Sequence, residues 1–333
     1  MKIFKIGDIH PSVPHLFADL ADLAELATVI NYSGRYDLHK NDLITIRTQS
    51  NTSVDDIDQE YQEDENEGCD AERNDRLERQ VEDVWTQLDF RQNFLKDIYP
   101  FIINGDFISL KENLTEIQRI YIFLLACSRL RSFTKARQGI IQFWAKNFAV
   151  VSKFCATALL PAHSTVRVFD ANSDDRRKYY GTDLRKALKR LGKDLAVPYI
   201  NEQECERADP RGDGGFDIVA TIEFEDKLSS NFAFLGQCGA QERDWPKKTL
   251  EAHSLKLRTY FQVHFDIPTL MFTPVFYRNS DGQWVDNSPC AGVLIIDRAR
   301  ILQLLKKTNH CPKIVSEQWF LDFEQIINDL KVE

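Results

Sequence analysis

The chain has no run of the roughly 18 apolar residues that a membrane span requires. The best candidate, Ile120 to Cys127, is short and lies between Arg119 and Arg129. The first residues lack the pattern of a secretory signal, because Asp8 and His10 interrupt the apolar stretch after Lys2 and Lys5. Both absences predict a cytoplasmic protein with no membrane partner. There is also no Cys-x-x-Cys pair. The seven cysteines, at 69, 127, 155, 205, 238, 290 and 311, are odd in number and irregularly spaced. That excludes a disulfide framework and a zinc ribbon, and predicts reduced thiols used as small apolar residues. A phosphate-binding Gly-rich loop ending in Lys-Ser/Thr, a Gly-x-Ser-x-Gly elbow and a zinc-deaminase signature are missing too. No internal repeat is visible.

A basic total is likewise lacking, since the formal net charge is −9. Its distribution matters more than its sum. Residues 54–72 hold ten acids and no Lys or Arg, so the rest of the chain carries about +1. Residues 117–169 hold eight Lys and Arg and no acid. Arg176, Arg177, Lys178, Arg185, Lys186, Lys189, Arg190 and Lys193 follow. A polyanion needs a local positive surface, not a positive total. These runs are therefore either solvated helix faces or a nucleic-acid surface.

With 333 residues the chain can form two or three domains. Leu16, Leu20, Leu23, Ala24, Ala27 and Ile30 recur at helical spacing, with Ser12 and Pro14 near the start. Leu43 to Ile46 reads as a short β piece. The acidic stretch reads as a linker. Helical period returns from Leu77 to Ile98, again from Ile117 to Leu125, and from Ala136 to about Leu160. The pattern then changes. Strands are predicted at 165–169, 216–222, 232–238, 269–277 and 292–296, with a turn at 226–231. A basic helix is predicted over 183–191 with Gly192 as C-cap, a helix over 245–260, and another from Asp297. The expected fold is α/β: a helical segment 1–53, an acidic linker 54–76, a helical region 77–142, and an α/β domain 143–333 whose mixed sheet is flanked by helices.

The chemistry concentrates between Gly212 and Lys248. The run Asp213-Gly214-Gly215-Phe216-Asp217-Ile218-Val219-Ala220 brings a carboxylate to the start of a strand. Separated from it by nineteen residues, Gln237 ends an apolar strand between Gly236 and Cys238. A hairpin of this length places Asp217 and Gln237 at one end of a sheet, two oxygen donors suited to Mg²⁺. The bland alternatives are an Asp217 that caps a turn and a Gln237 that is a satisfied buried amide. Glu225-Asp226-Lys227 falls in the predicted turn and is read as chance. Glu204 and Glu206 are weak further ligands. At the N-terminus Gly7-Asp8-Ile9-His10, with Asn104-Gly105-Asp106, echoes calcineurin-like metallophosphatases. Their spacing is far too long, and the remaining His ligands are absent.

The segment resembles the PD-(D/E)xK restriction-endonuclease-like nucleases, in particular a subgroup among prokaryotic defence and restriction proteins. The similar residues are Asp213 to Ala220, then Gly236-Gln237-Cys238, then Trp245 with Lys248 three residues on. The resemblance spans about 143–300. It implies a restriction-endonuclease-like core and Mg²⁺- or Mn²⁺-dependent DNA endonuclease activity, with a role as effector of antiphage defence or restriction. Asp217, Gln237 and Lys248 would be catalytic. Asp217, Gln237, the Cys238 backbone carbonyl and, weakly, Asp213 would hold the metal. Lys247 stands as a substitute for Lys248. Arg176, Arg177, Lys178, Arg185, Lys189 and Lys247 would contact DNA. The helical half would serve self-association or a defence-system partner. The chain departs from the pattern at Gly239, where the family's lysine usually stands, and carries Gln rather than Glu at 237. Both departures leave a second expectation open, a degenerate nuclease fold that binds DNA or assembles a complex without cutting.

Overall fold

The computed structural model describes residues 15–50, 68–133, 139–239 and 254–330. In chain order its elements are α1 (Leu16–Val29), β1 (Asp37–His39), α2 (Lys40–Ser50), α3 (Gly68–Leu95), β2 (Phe101–Asn104), β3 (Phe107–Leu110), α4 (Glu116–Ser128), α5 (Ile140–Thr157), β4 (Thr165–Val168), α6 (Leu184–Asp194), β5 (Tyr199–Ile200) and α7 (Glu202–Arg207). There follow β6 (Ile218–Ile222), β7 (Phe232–Cys238), β8 (Phe261–Gln262), β9 (Thr269–Phe272), β10 (Leu294–Ile296), α8 (Arg298–Lys307), α9 (Cys311–Ser316) and α10 (Gln318–Asp329). The chain forms two compact units: Met1–Ile141 with Val275–Asp286 and Val315–Glu333, and Gln142–Pro274 with Asn287–Ile314. Among the described residues no helix is long and apolar enough to cross a membrane.

In the first unit α1 is buried from Ala18 to Val29. Its polar side chains Asp19, Asp22 and Glu25 are buried with the rest, so it is a central helix and not an amphipathic surface one. The stretch expected to be wholly helical also contains an antiparallel sheet of order β1-β3-β2. Asn104-Gly105-Asp106 is its hairpin turn, with Gly105 at φ 57°, a conformation that glycine adopts without steric cost. That backbone role accounts for the phosphatase-like echo there.

The piece Leu43 to Ile46 is helical, inside α2, and not a β piece. The Asp42 carboxylate accepts the His39 N–H at 2.9 Å, which caps the turn. Leu43 and Ile46 then bury one helical face at i, i+3 spacing. Packing overrides the β preference of Ile44 and Thr45. Helix α3 starts at Gly68, so 68–76 of the expected linker are helix; 51–67 lie outside the described residues. The C-terminal α10 belongs to this unit. Phe320 and Phe323 pack on Phe123 of α4, and Glu324 accepts from Arg119 at 2.6 Å.

The second unit is built on a five-stranded sheet of order β10-β9-β7-β6-β4. Strands β4, β6 and β7 are antiparallel, while β9 runs parallel to β7 and β10 parallel to β9. This is the expected mixed sheet with helices about it. Strands predicted at 216–222, 269–277 and 292–296 are shorter at one end than their apolar runs. The hairpin turn carries Glu225, Asp226 and Lys227, all exposed, with Glu225 and Lys227 in the left-handed region.

Leu184, Ala187, Leu188 and Leu191 of α6 bury against Val219, Ala233 and Leu235. Each fully buried leucine contributes about 1.5–3 kcal/mol of transfer free energy. Gly192 is not a C-cap. It lies inside α6, where an added Cβ would come within 2.9 Å of Ile200 and Phe261. The glycine lets the small β5-β8 sheet close on the helix. The helix expected over 245–260 falls largely outside the described residues; 254–259 form a 3₁₀ turn. Asp297 caps α8 through the Arg300 N–H at 3.0 Å.

Candidate metal centre

Strand pairing brings three loop ends together. In the antiparallel register Val168 faces Ile218, and Ile218 faces Gly236. Asp217, just before Ile218, and Gln237, just after Gly236, are therefore neighbours at one end of the sheet. Asp170 leaves β4 at that same end. The Phe169 N–H donates to the Asp217 carbonyl at 2.6 Å, and the Asp217 N–H donates to the Gly236 carbonyl at 2.9 Å.

The carboxylates of Asp170, Asp213 and Asp217 offer oxygens that lie within 4.8 Å of one another. Asp217 is 8% exposed and fixed, its Oδ2 accepting the Cys238 N–H at 2.6 Å. Asp213 Oδ1 accepts the Gly215 N–H at 2.8 Å and Asp170 Oδ1 accepts the Asn172 N–H at 2.8 Å. Asp213 and Asp170 are thus each held by their own backbone turn, and Asp217 by the neighbouring strand β7. Gln237 is also 8% exposed, and its Oε1 has no hydrogen-bond partner among the described residues. Side chains alternate along a strand, so Gln237 shares the face of Leu235 and Ala233, and Asp217 extends the face of Val219. This is the face covered by α6. No donor among the described residues reaches this oxygen, and a buried acceptor left without one costs about 1–3 kcal/mol.

The donor set suits a hard divalent cation. It consists of three carboxylates and one amide oxygen, with no nitrogen or sulfur ligand. Octahedral Mg²⁺ at about 2.1 Å sets its oxygens roughly 3–4 Å apart, so only a small closure of the three acids is required. Without a cation their mutual repulsion is unfavourable. The Cys238 thiol falls on the opposite face near Ser152. Burial first, and then the Asp217 charge, push it well above the ordinary thiol range. It is neither ligand nor nucleophile; the Cys238 backbone remains at the site edge.

Arg176 is buried and is not a DNA contact. Its guanidinium donates to the carbonyls of Phe169 at 2.9 Å, Gly181 at 2.8 Å and Gly212 at 3.4 Å. It ties the loop carrying Asp170 to the loop carrying Asp213. Burial lowers its pKa, against the opposing pull of Asp213, Asp170 and Asp183. Arg177 pairs with Asp174. Arg185 grips Asp183 at 3.0 and 2.7 Å, and Lys189 bridges Glu202 at 3.2 Å and Glu206 at 2.9 Å. That pairing sets Glu202 and Glu206 of α7 against α6, and Glu204 binds Arg207. Lys178 is exposed. Trp245, Lys247 and Lys248 lie outside the described residues.

Asp170 went unnoticed in the sequence. It stands alone after an apolar strand, in an Asp-x-Asn turn that reads as ordinary loop. The signal that finds it is strand pairing: once β4 is set beside β6, a carboxylate two residues past Val168 meets one just before Ile218. Comparison of the chain with protein-family models, with curated proteins and with solved structures gave no match.

Proposed function

We propose that the second unit is a divalent-metal-dependent nuclease that hydrolyses phosphodiester bonds in DNA, with its centre at Asp170, Asp213 and Asp217. The observation that carries this reading is the acidic triad beside the unpartnered, buried Gln237 Oε1. The resemblance around Asp213 to Ala220 and Gly236 to Cys238 supports it, as does the order of the upstream helix α5, strand β4 and basic helix α6. Asp217 is the fixed ligand, because its second oxygen is locked onto the Cys238 N–H. Asp170 and Asp213 close from their turns, and Gln237 contributes its amide oxygen. A bound Mg²⁺ or Mn²⁺ supplies positive charge to the scissile phosphate and acidifies an attacking water. Arg176 holds two of the three acid-bearing loops in register without touching substrate.

Purified protein is incubated with supercoiled plasmid in Mg²⁺ or Mn²⁺. Nicking is expected, and it disappears in Asp217→Ala and Asp170→Ala. Undiminished nicking in both variants would remove the assignment. The second reading, a DNA-binding subunit that does not cut, is favoured by Gly239 at the family's lysine position and by the uncharged Gln237. It predicts Mn²⁺ and DNA binding with intact plasmid.

A further inference from the structure

We infer that single-stranded DNA docks on an exposed platform formed by Tyr179 and the cationic stripe Lys186, Arg190 and Lys193 of α6, on the unit that carries the acidic triad. The inference rests on the nuclease reading for its direction, but it concerns substrate form and is tested without cleavage.

Helix α6 carries two cationic faces of different character. Arg185 and Lys189 are matched by Asp183, Glu202 and Glu206, so their charge is satisfied within the fold. Lys186, Arg190 and Lys193 follow i, i+4, i+7 spacing on the helix, all three are exposed, and none has an acidic partner within 4 Å among the described residues. Leu184, Ala187, Leu188 and Leu191 fill the buried side. The exposed stripe thus adds nothing to packing or to local charge balance.

The stripe continues into an aromatic surface. Arg190 donates to the Tyr179 carbonyl at 3.4 Å. The Tyr179 ring is 39% exposed. The Arg167 guanidinium lies 4.3 Å from its centroid and the Lys178 ammonium 5.0 Å. The next residue, Tyr180, is buried with its hydroxyl on Asp194 at 2.7 Å, which anchors the turn and leaves Tyr179 outside. Arg167, which also pairs with Asp194, and Lys178 lie over this half-exposed ring, and an aromatic and cation layer of this kind stacks an unpaired base while the phosphates meet the neighbouring charges. A duplex offers phosphates but no free base face, so the ring selects the single strand.

The platform is tied to the proposed centre by covalent and hydrogen-bonded neighbours. Tyr179 and Lys178 sit on the π-helical turn Arg176–Tyr180. Arg176 in that turn binds the carbonyls of Phe169 and Gly212, the residues adjoining Asp170 and Asp213. Arg167 lies three residues before Asp170 on the same strand exit.

The test is fluorescence anisotropy in EDTA with a labelled single-stranded oligodeoxynucleotide, the duplex of the same sequence, and the matching RNA. Wild type is expected to prefer the single-stranded DNA, with affinity falling as salt rises. Tyr179→Ala should weaken that binding about five- to a hundredfold, and Tyr179→Phe should leave it within about twofold. Combined Lys186→Glu, Arg190→Glu and Lys193→Glu should abolish it. Asp217→Asn should bind like wild type even where it no longer cuts, so loss of cleavage and loss of docking are separate results. Equal affinity in wild type and Tyr179→Ala, an unchanged triple variant, or a preference for duplex would overturn the platform. A preference for RNA would overturn the choice of DNA.

Discussion

The two units each contain a cluster of aspartate and glutamate, and the clusters are built on opposite principles. In the first unit Asp22 and Glu25 of α1 are fully buried, and Arg91 of α3 reaches both at 2.6 and 2.8 Å. Tyr99 and Tyr121 each donate to Glu25 at 2.8 Å, Ser128 donates to Asp22 at 2.6 Å, and Arg91 donates also to the Ala18 carbonyl at 2.9 Å. Burial opposes the Arg91 charge, but Glu25 and Asp22 hold it well above its ordinary range. Burial and the charge of Glu25 likewise push Tyr99 up, so the phenol stays a donor. In the second unit the carboxylates of Asp170, Asp213 and Asp217 meet one another, each accepting a backbone N–H, while the Arg176 guanidinium donates to backbone carbonyls. Acids matched in place by a buried cation are architecture. Acids brought within reach of one another could instead hold a cation from outside.

The largest effect that separates them is on stability. Arg91→Met leaves two carboxylates buried without their cation and should destabilise the protein by about 3–5 kcal/mol, measured by urea unfolding. Adding Asp22→Asn and Glu25→Gln to Arg91→Met should recover a good part of that loss. A loss below about 1 kcal/mol in the single variant would mean that the network is not the keystone of the first unit. The reciprocal experiment is Asp217→Ala. It should cut nicking by roughly a hundred- to a thousandfold, and it removes the acceptor of the Cys238 N–H, so metal-free stability should fall by about 1–3 kcal/mol. Mg²⁺ at about a hundred times its Kd should stabilise wild type by about 2.7 kcal/mol, read as a rise in melting temperature. The same addition should do nothing to Asp217→Ala. Equal shifts in both proteins would place the cation elsewhere.

The same contrast governs what the sequence disclosed. Asp217, Asp213 and Gln237 were legible because glycines and apolar strand residues isolate them, and strand period then fixes their end of the sheet. The mixed sheet and α6 were legible from apolar spacing alone. Asp170 was not, since its role depends on β4 lying beside β6. The buried network of α1 was not either. The apolar spacing from Leu16 to Ile30 says nothing of Asp22 and Glu25, and their burial depends on the return of Arg91 across some seventy residues. The small sheet β1-β3-β2 was hidden for a related reason. Its strands have three or four residues, too few to establish a period of two against strong helices on either side. The basic runs disclosed charge but not which charges are neutralised, because Glu202 and Glu206 reach Lys189 only once α7 packs on α6.

A smaller effect sharpens the site itself. Gln237→Glu replaces the unpartnered amide oxygen with a fourth carboxylate. Mn²⁺ binding followed by calorimetry should tighten about tenfold, and metal-free stability should fall through added repulsion. Unchanged Mn²⁺ affinity together with lower stability would exclude residue 237 from the ligand set while leaving the triad in place.

The smallest effect concerns an acid of neither kind. Asp183 sits at the α6 N-terminus, where its side chain accepts the Arg185 N–H at 3.0 Å and the Arg185 guanidinium at 3.0 and 2.7 Å. The Arg185 side-chain hydrogen bond is the main cause that lowers its pKa to about 2, below the usual 3.8. A depressed folded-state pKa stabilises the protein above the unfolded value and ceases to do so as pH falls through the folded one. Asp183→Ala should therefore lower the melting temperature slightly at neutral pH, and the gap from wild type should close between about pH 4 and pH 2. It should leave Mn²⁺ affinity and the Arg91 network untouched, since this carboxylate is satisfied locally and at the surface. A gap that persists unchanged at pH 2 would show that the loss arises from the helix start itself and not from the charge.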